Sequence, residues 1–226
     1  MIKTAIILFA HLPDFEARAK SLSGFSSQKS TQRISSILTQ HFYQLSQQTS
    51  AETFLIDSFH QKGKTFGERI TNAFVSIYAK GYENVICIGN DCPELNLQQL
   101  QNSIVEIEKG NVVLGPTVDG GAYLIGIPKN HFNKEAFLKI KWQTRKTYKD
   151  ILKSYQVAEA NIIENKLLAD IDKANDVYTH HHQLIYVLLN EIRNFILAFN
   201  TKNKTSLVPT SICQDLFFRG PPAFII

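Results

Sequence analysis

The chain has 226 residues, a formal net charge of +4 at neutral pH and three cysteines. That length suits one α/β domain with at most a small appendage. Three thiols argue against a disulfide framework, and lysines scattered over helical segments argue against a nucleic-acid-binding surface.

Thr4 to Ala10 is apolar but only seven residues long, with no cleavage site after it. It reads as a first strand rather than a signal peptide or membrane span, so a cytoplasmic protein that does not enter membranes is expected. The loop after it, His11 to Phe25, has no glycine-rich phosphate motif. Arg18 and Lys20 there read either as phosphate contacts or as solvated charges. Ser26 to Gln48 predicts a helix, because Ile34, Ile37, Leu38, His41, Phe42 and Leu45 form one apolar stripe; His41 reads as a packed core histidine.

Thr53 to Asp57 predicts a second strand. The segment His60 to Arg69 is basic, contains Gly63 and Gly67, and runs into a helix whose stripe is Ile70, Ala73, Phe74, Ile77 and Tyr78. A helix amino terminus with cations nearby favours anions, and glycines let a ligand approach the backbone; an ordinary solvated loop is the competing reading. Gly81 ends that helix.

The centre of the chain is Val85 to Ile127. Val85–Ile88 and Val112–Leu114 are apolar without alternation, as in strands buried on both faces of a parallel sheet. Between them Asn96 is an N-cap and Asn96 to Lys109 a helix, ended by Gly110. Ligands of such sheets bind beyond the carboxyl ends of the strands. Asp91 and Asp119 stand at such ends, and carboxylates there suit a hard divalent cation. Cys92 reads as a small residue in a tight turn. Gly120 and Gly121 turn the chain into a strand over Ala122–Ile127, with positive φ expected at one of them. The alternation β-α-β-α-β-α-β-β predicts a three-layer α/β/α sandwich with a mainly parallel sheet.

Pro128 to Thr144 reads as loose, Thr147 to Tyr155 as a helix, and Ile162 to Ala169 as an extended approach to Asp170 and Asp172. Alternate residues of an extended segment project together, and paired carboxylates are costly without a cation between them. An acidic turn capping the next helix is the alternative. Val177 to Phe199 predicts that helix, with His180 to His182 on its surface. The apolar tail Leu207 to Ile226 is expected to pack on the domain or on a second subunit as a homodimer.

Ile88–Leu95, Leu114–Gly126, Trp142–Thr144 and Asp170–Asp172 resemble, in that order, a glycosyltransferase-like family known as rSAM/selenodomain-associated transferase 1. Its relatives include the molybdenum-cofactor and phospholactate nucleotidyltransferases, and its fold is GT-A, the nucleotide-diphospho-sugar transferase fold. The resemblance covers roughly Ile2 to Val177 and implies a domain over residues 1–177; the helix and apolar tail over 178–226 lie outside it and are expected from their own residues. It implies metal binding and catalysis at Asp91, a second metal contact from Asp170 or Asp172, and a catalytic Asp119 beside Gly120 and Gly121 on the acceptor or sugar-phosphate side. It implies nucleotide or substrate contacts from His11, Lys20, Gln61, Gly63, Arg69 and Asn90, and Mg²⁺ or Mn²⁺ as cofactor. The first loop departs from the family: His11 replaces a lysine and Glu16 a glycine, and an acidic group beside a triphosphate is repulsive. The expected activity is metal-dependent glycosyl or nucleotidyl transfer from a nucleotide or nucleotide-sugar to an unidentified acceptor. The alternative is a catalytically degenerate binding module on the same fold.

Overall fold

A computed structural model describes residues 3–14 and 28–172, together with Asp176, Thr179, His182 and Val187. The expectations for Arg18, Lys20 and Glu16, for the division at residue 177, for His180 and His181, and for the tail lie outside the described residues.

Six strands, β1 (Thr4–Phe9), β2 (Glu52–Ile56), β3 (Asn84–Ile88), β4 (Val112–Pro116), β5 (Ala122–Pro128) and β6 (Ile162–Glu164), form one sheet in the order β2-β1-β3-β5-β4-β6. Every pairing is parallel except those of β5, which runs antiparallel to β3 and β4 between them. The mixed but mainly parallel sheet, with helices on both faces, is the expected three-layer sandwich.

The apolar runs of β1 and β3 follow from that layering. Ala5, Ile7 and Phe9 join one core cluster while Ile6 and Leu8 join the other. Both faces of the strand are therefore covered, and no polar residue is admitted at alternate positions. Burying each such side chain stabilises by roughly 1.5–3 kcal/mol. One face carries α2 (Phe66–Ala79), α4 (Lys134–Leu138) and α5 (Thr147–Val157), whose Phe74, Phe137 and Ile151 are fully enclosed. The other carries α1 (Gln28–Gln47) and α3 (Leu97–Glu108), with Phe42 and Leu100 at its centre. His41 is buried edge-on against Phe42, and burial lowers its pKa.

Asn96 caps α3 through a reciprocal pair with Gln99. Gly81 and Gly110 follow α2 and α3 at φ +90°, the left-handed conformation that glycine adopts without a Cβ penalty. The stretch expected to be loose holds a 3₁₀ turn, Lys129–His131, and α4. The Asn133 side chain accepts from the Ala136 amide and Phe137 anchors the turn in the core. Five helical residues are too few to show a period. Among the described residues after β6, Leu168 forms an isolated parallel bridge with Thr117.

Candidate functional site

A cavity of about 410 Å³ lies at the carboxyl ends of β1, β3 and β4 and the start of β5. Three turns meet there, and backbone hydrogen bonds join them. The Ile171 amide donates to the Asp91 carbonyl at 2.9 Å, which ties the segment after β6 to the turn after β3. The Val118 amide donates to the Leu168 carbonyl at 3.0 Å, which ties it to the β4–β5 turn.

Asp119 sits at the tip of that β4–β5 turn. Its Oδ1 accepts the Thr117 hydroxyl at 2.5 Å and the Gly121 amide at 2.8 Å. With one oxygen anchored, the other is available to a ligand. The turn depends on its glycines. Gly120 has φ +93°, and a Cβ there would stand 2.2 Å from the Arg145 carbonyl oxygen. Its own carbonyl accepts the Tyr148 amide at 2.9 Å. Gly120 thus lets the acidic turn pack against the backbone of Arg145 and bond to that of Tyr148, and does not itself line the cavity; Gly121 does.

Asp170 and Asp172 are half-buried, and with Asp119 they bring carboxylate oxygens within 4.8 Å of one another. Asp91 lines the same cavity. Burial, then the charges of Asp119, Asp91 and Asp172, pushes the Asp170 carboxyl up to about 7. Like charges this close resist joint ionisation unless a cation neutralises them. The set is all oxygen and all carboxylate, which fits Mg²⁺ or Mn²⁺ and does not fit a soft metal.

At the β1 end, Gln61 donates both amide hydrogens to backbone carbonyls, to Ala10 at 3.0 Å and Ile56 at 3.2 Å. The reverse orientation would set oxygen against two oxygens, so the network fixes the amide. Oε1 is the polar side-chain atom left for a ligand. His11 lines the cavity beside it, with Nδ1 3.3 Å from the Ser58 hydroxyl. Asn90 also lines it, but its amide donates to Thr39 of α1 at 2.8 Å. The walls between are apolar: Phe9, Ala10, Phe66, Ile70 and Trp142.

Gly63 and Arg69 are not among the lining residues. At the amino terminus of α2, expected to attract anions, part of the donor set is taken up by its own side chains. Glu68 accepts the Lys64 and Thr65 amides while Thr65 accepts the Glu68 amide. Gly63, at φ +137°, lies against Glu68 and the Arg69 amide. Arg69 reaches back to the Lys64 carbonyl at 3.4 Å.

Thr117 and Arg145 were not signalled by the sequence. The Asp119-Gly120-Gly121 pattern, two residues beyond a threonine, is the signature that points to Thr117 as an Asp anchor. Arg145 lies one residue beyond the Trp142–Thr144 motif.

The chain belongs to the family described as an uncharacterized protein conserved in bacteria (DUF2064), whose model matches residues 32–144, half of the chain. No curated protein matches significantly. Among solved structures, the chain is similar to one from Desulfovibrio desulfuricans G20 described provisionally as a nucleotide-diphospho-sugar transferase. The two share 21% identity over 79% of this chain and 87% of that one, at a TM-score of 0.68. A CMP:2-keto-3-deoxy-manno-octonic acid synthetase complexed with CTP matches at 8% identity, over 81% of this chain and 99% of that one, with a TM-score of 0.49. Rv0371c from Mycobacterium tuberculosis H37Rv, in complex with manganese, matches at 8% over 78% and 97%, with a TM-score of 0.45. At these identities the likeness is one of fold. Among the described residues no helix is long and apolar enough to cross a membrane.

Proposed function

We propose that this member of the DUF2064 family is a divalent-metal-dependent transferase acting on a nucleotide or nucleotide-sugar donor, of the rSAM/selenodomain-associated transferase 1 type. The observation that carries the reading is the convergence of Asp119, Asp170 and Asp172 within 4.8 Å, in a cavity whose other end is apolar and carries the fixed Gln61 amide. Apolar walls with the Gln61 acceptor among them suit a base, and an acidic end suits the cation that accompanies phosphates. The similar structure from Desulfovibrio, described provisionally as a nucleotide-diphospho-sugar transferase, shares the fold and supports the choice of donor class.

Asp119, Asp170 and Asp172 would hold the cation, with Asp91 beside them. Bound Mg²⁺ or Mn²⁺ supplies neutralisation of phosphate charge and of the charge that develops on the leaving group. The chain's own part is positioning. Thr117 and the Gly121 amide orient Asp119, the Ile171–Asp91 hydrogen bond fixes the spacing of the two acidic turns, and Gln61 orients the donor from the far end. No covalent nucleophile is required: Cys92 is buried beside Asp91. The free thiols and the nucleotide donor suit a cytoplasmic enzyme.

The test is a thermal-shift screen of nucleoside triphosphates and nucleotide-sugars with and without Mn²⁺, on the parent and on Asp119→Asn. A donor should raise the parent midpoint with the logarithm of its concentration over Kd, and only with metal. Parent and variant shifting alike, or no donor shifting the parent, rejects the reading.

A further inference from the structure

The cavity has a cation that neither the metal reading nor the fold accounts for. Arg145 lines it together with Asp91, Asp119, Asp170 and Asp172. The Arg145 side chain is exposed and shares that lining with the four carboxylates. Here, among the described residues, the Arg145 side chain makes no hydrogen bond or ion pair.

The loop that carries it, by contrast, is held on both sides of Arg145. Gln143 stands at φ +57°, a left-handed conformation that a non-glycine residue adopts only where its surroundings impose it. The Trp142 indole donates to the Phe137 carbonyl at 3.0 Å. The Thr147 hydroxyl sits within 2.9 Å of the Lys141 carbonyl and 2.8 Å of the Thr144 carbonyl, and accepts the Thr144 amide at 3.1 Å. Gly120 leaves room for the Arg145 carbonyl, and the Tyr148 amide, three residues on, donates to the Gly120 carbonyl of the Asp119 turn at 2.9 Å. The origin of this side chain is therefore fixed relative to the acidic cluster while its charged end is uncommitted.

We propose that Arg145 is an anion-binding residue of this site and that its guanidinium takes a phosphate group of the ligand. The guanidinium fork matches phosphate oxygens in geometry and charge. A phosphate there satisfies Arg145 without drawing it onto the carboxylates, which leaves those for the cation. The prediction that cation and arginine act on one diphosphate rests on the metal-dependent reading; the anion site itself does not.

The experiment uses inorganic pyrophosphate as probe, titrated with and without Mn²⁺ against the full chain, Arg145→Ala and Arg145→Lys, followed by calorimetry with thermal midpoints as the check on folding. Pyrophosphate should bind the parent, more tightly with Mn²⁺. Arg145→Ala should weaken it about tenfold or more, with Arg145→Lys between the two. Mn²⁺ alone should bind Arg145→Ala at least as well as the parent, since a like charge has been removed from its surroundings. If Mn²⁺ has no effect on the parent, the metal reading fails and Arg145 is judged on the metal-free arm alone. Equal pyrophosphate affinity in parent and Arg145→Ala overturns the inference, as does a parent that binds none under either condition.

Discussion

The Trp142 ring covers Gly67 so closely that a Cβ on Gly67 would stand 2.7 Å from Trp142 Cδ1 and 3.1 Å from Nε1. The glycine that opens α2 is thus a recess for the tryptophan whose loop forms one wall of the cavity.

Gly67→Ala sets two effects against each other. Alanine is favoured over glycine in a helix by about 1 kcal/mol at most, whereas forcing a side chain into a packed interface costs about 1–3 kcal/mol. The clash wins, so modest net destabilisation is expected. Trp142 is the chain's single tryptophan, so its emission reports the displacement directly. Unchanged emission together with unchanged stability contradicts the recess.

The two glycines of the acidic turn should separate. Gly120→Ala meets both a left-handed φ and a backbone oxygen at 2.2 Å, whereas a Cβ at Gly121 meets only the Thr117 hydroxyl at 2.8 Å and the Asp119 carboxylate at 3.1 Å. Denaturant titration should find Gly120→Ala costing more than about 1 kcal/mol, and Gly121→Ala less. The reverse order would show that the turn relaxes at Gly120.

Asp170 gives the metal-free protein a pH dependence with a definite sign. Its folded-state pKa, about 7, lies above the ordinary 3.8, chiefly through burial and then through Asp119, Asp91 and Asp172. The fold prefers the neutral acid, so this contribution is fully present below pH 3.8 and is lost as pH rises through about 7. Divalent cations require the carboxylate, so their affinity should rise over the same interval. Melting curves from pH 5 to 8 should slope downward for the parent without metal, and less so for Asp170→Asn. Identical slopes refute the assignment.

Gln61→Leu leaves the Ala10 and Ile56 carbonyls without their side-chain donor, and a lost donor of this kind costs about 1–3 kcal/mol. Gln61→Lys restores a donor while removing the Oε1 acceptor. It should recover stability relative to Gln61→Leu in chemical denaturation while binding any base-bearing ligand less well than the parent. Equal stability of the leucine and lysine variants would show that the two carbonyls find other partners.

The sandwich was legible because its central strands are covered on both sides, which leaves unbroken runs such as Ile6-Ile7-Leu8 and Val85-Ile86-Cys87-Ile88. The helix ends were legible where single residues carry a local rule, as Asn96, Gly81 and Gly110 do. The acidic residues were visible as residues, but their grouping was not. Asp119 and Asp170 are far apart in the chain, and the pairing of β4 with β6, continued by Thr117 and Val118 with Leu168, brings them together. The α2 amino terminus is partly used by its own residues: Thr65 and Glu68 form a capping box that takes up the Lys64, Thr65 and Glu68 amides but not those of Phe66 and Gly67. Arg145 gave no signal, because its place depends on a glycine remote in sequence.

The antiparallel placement of β5 makes the two halves of the acidic cluster unequal in durability. Asp119 hangs from a reversal between two interior strands, whose amides should exchange with solvent only when the whole molecule opens. Asp170 and Asp172 follow β6, a three-residue strand at the sheet margin, which should detach in brief, partial openings. A cation shared between the halves would then act as a clasp across that margin. Deuterium uptake over 162–172 should slow on adding Mn²⁺, while uptake in β3 and β5 stays as it was.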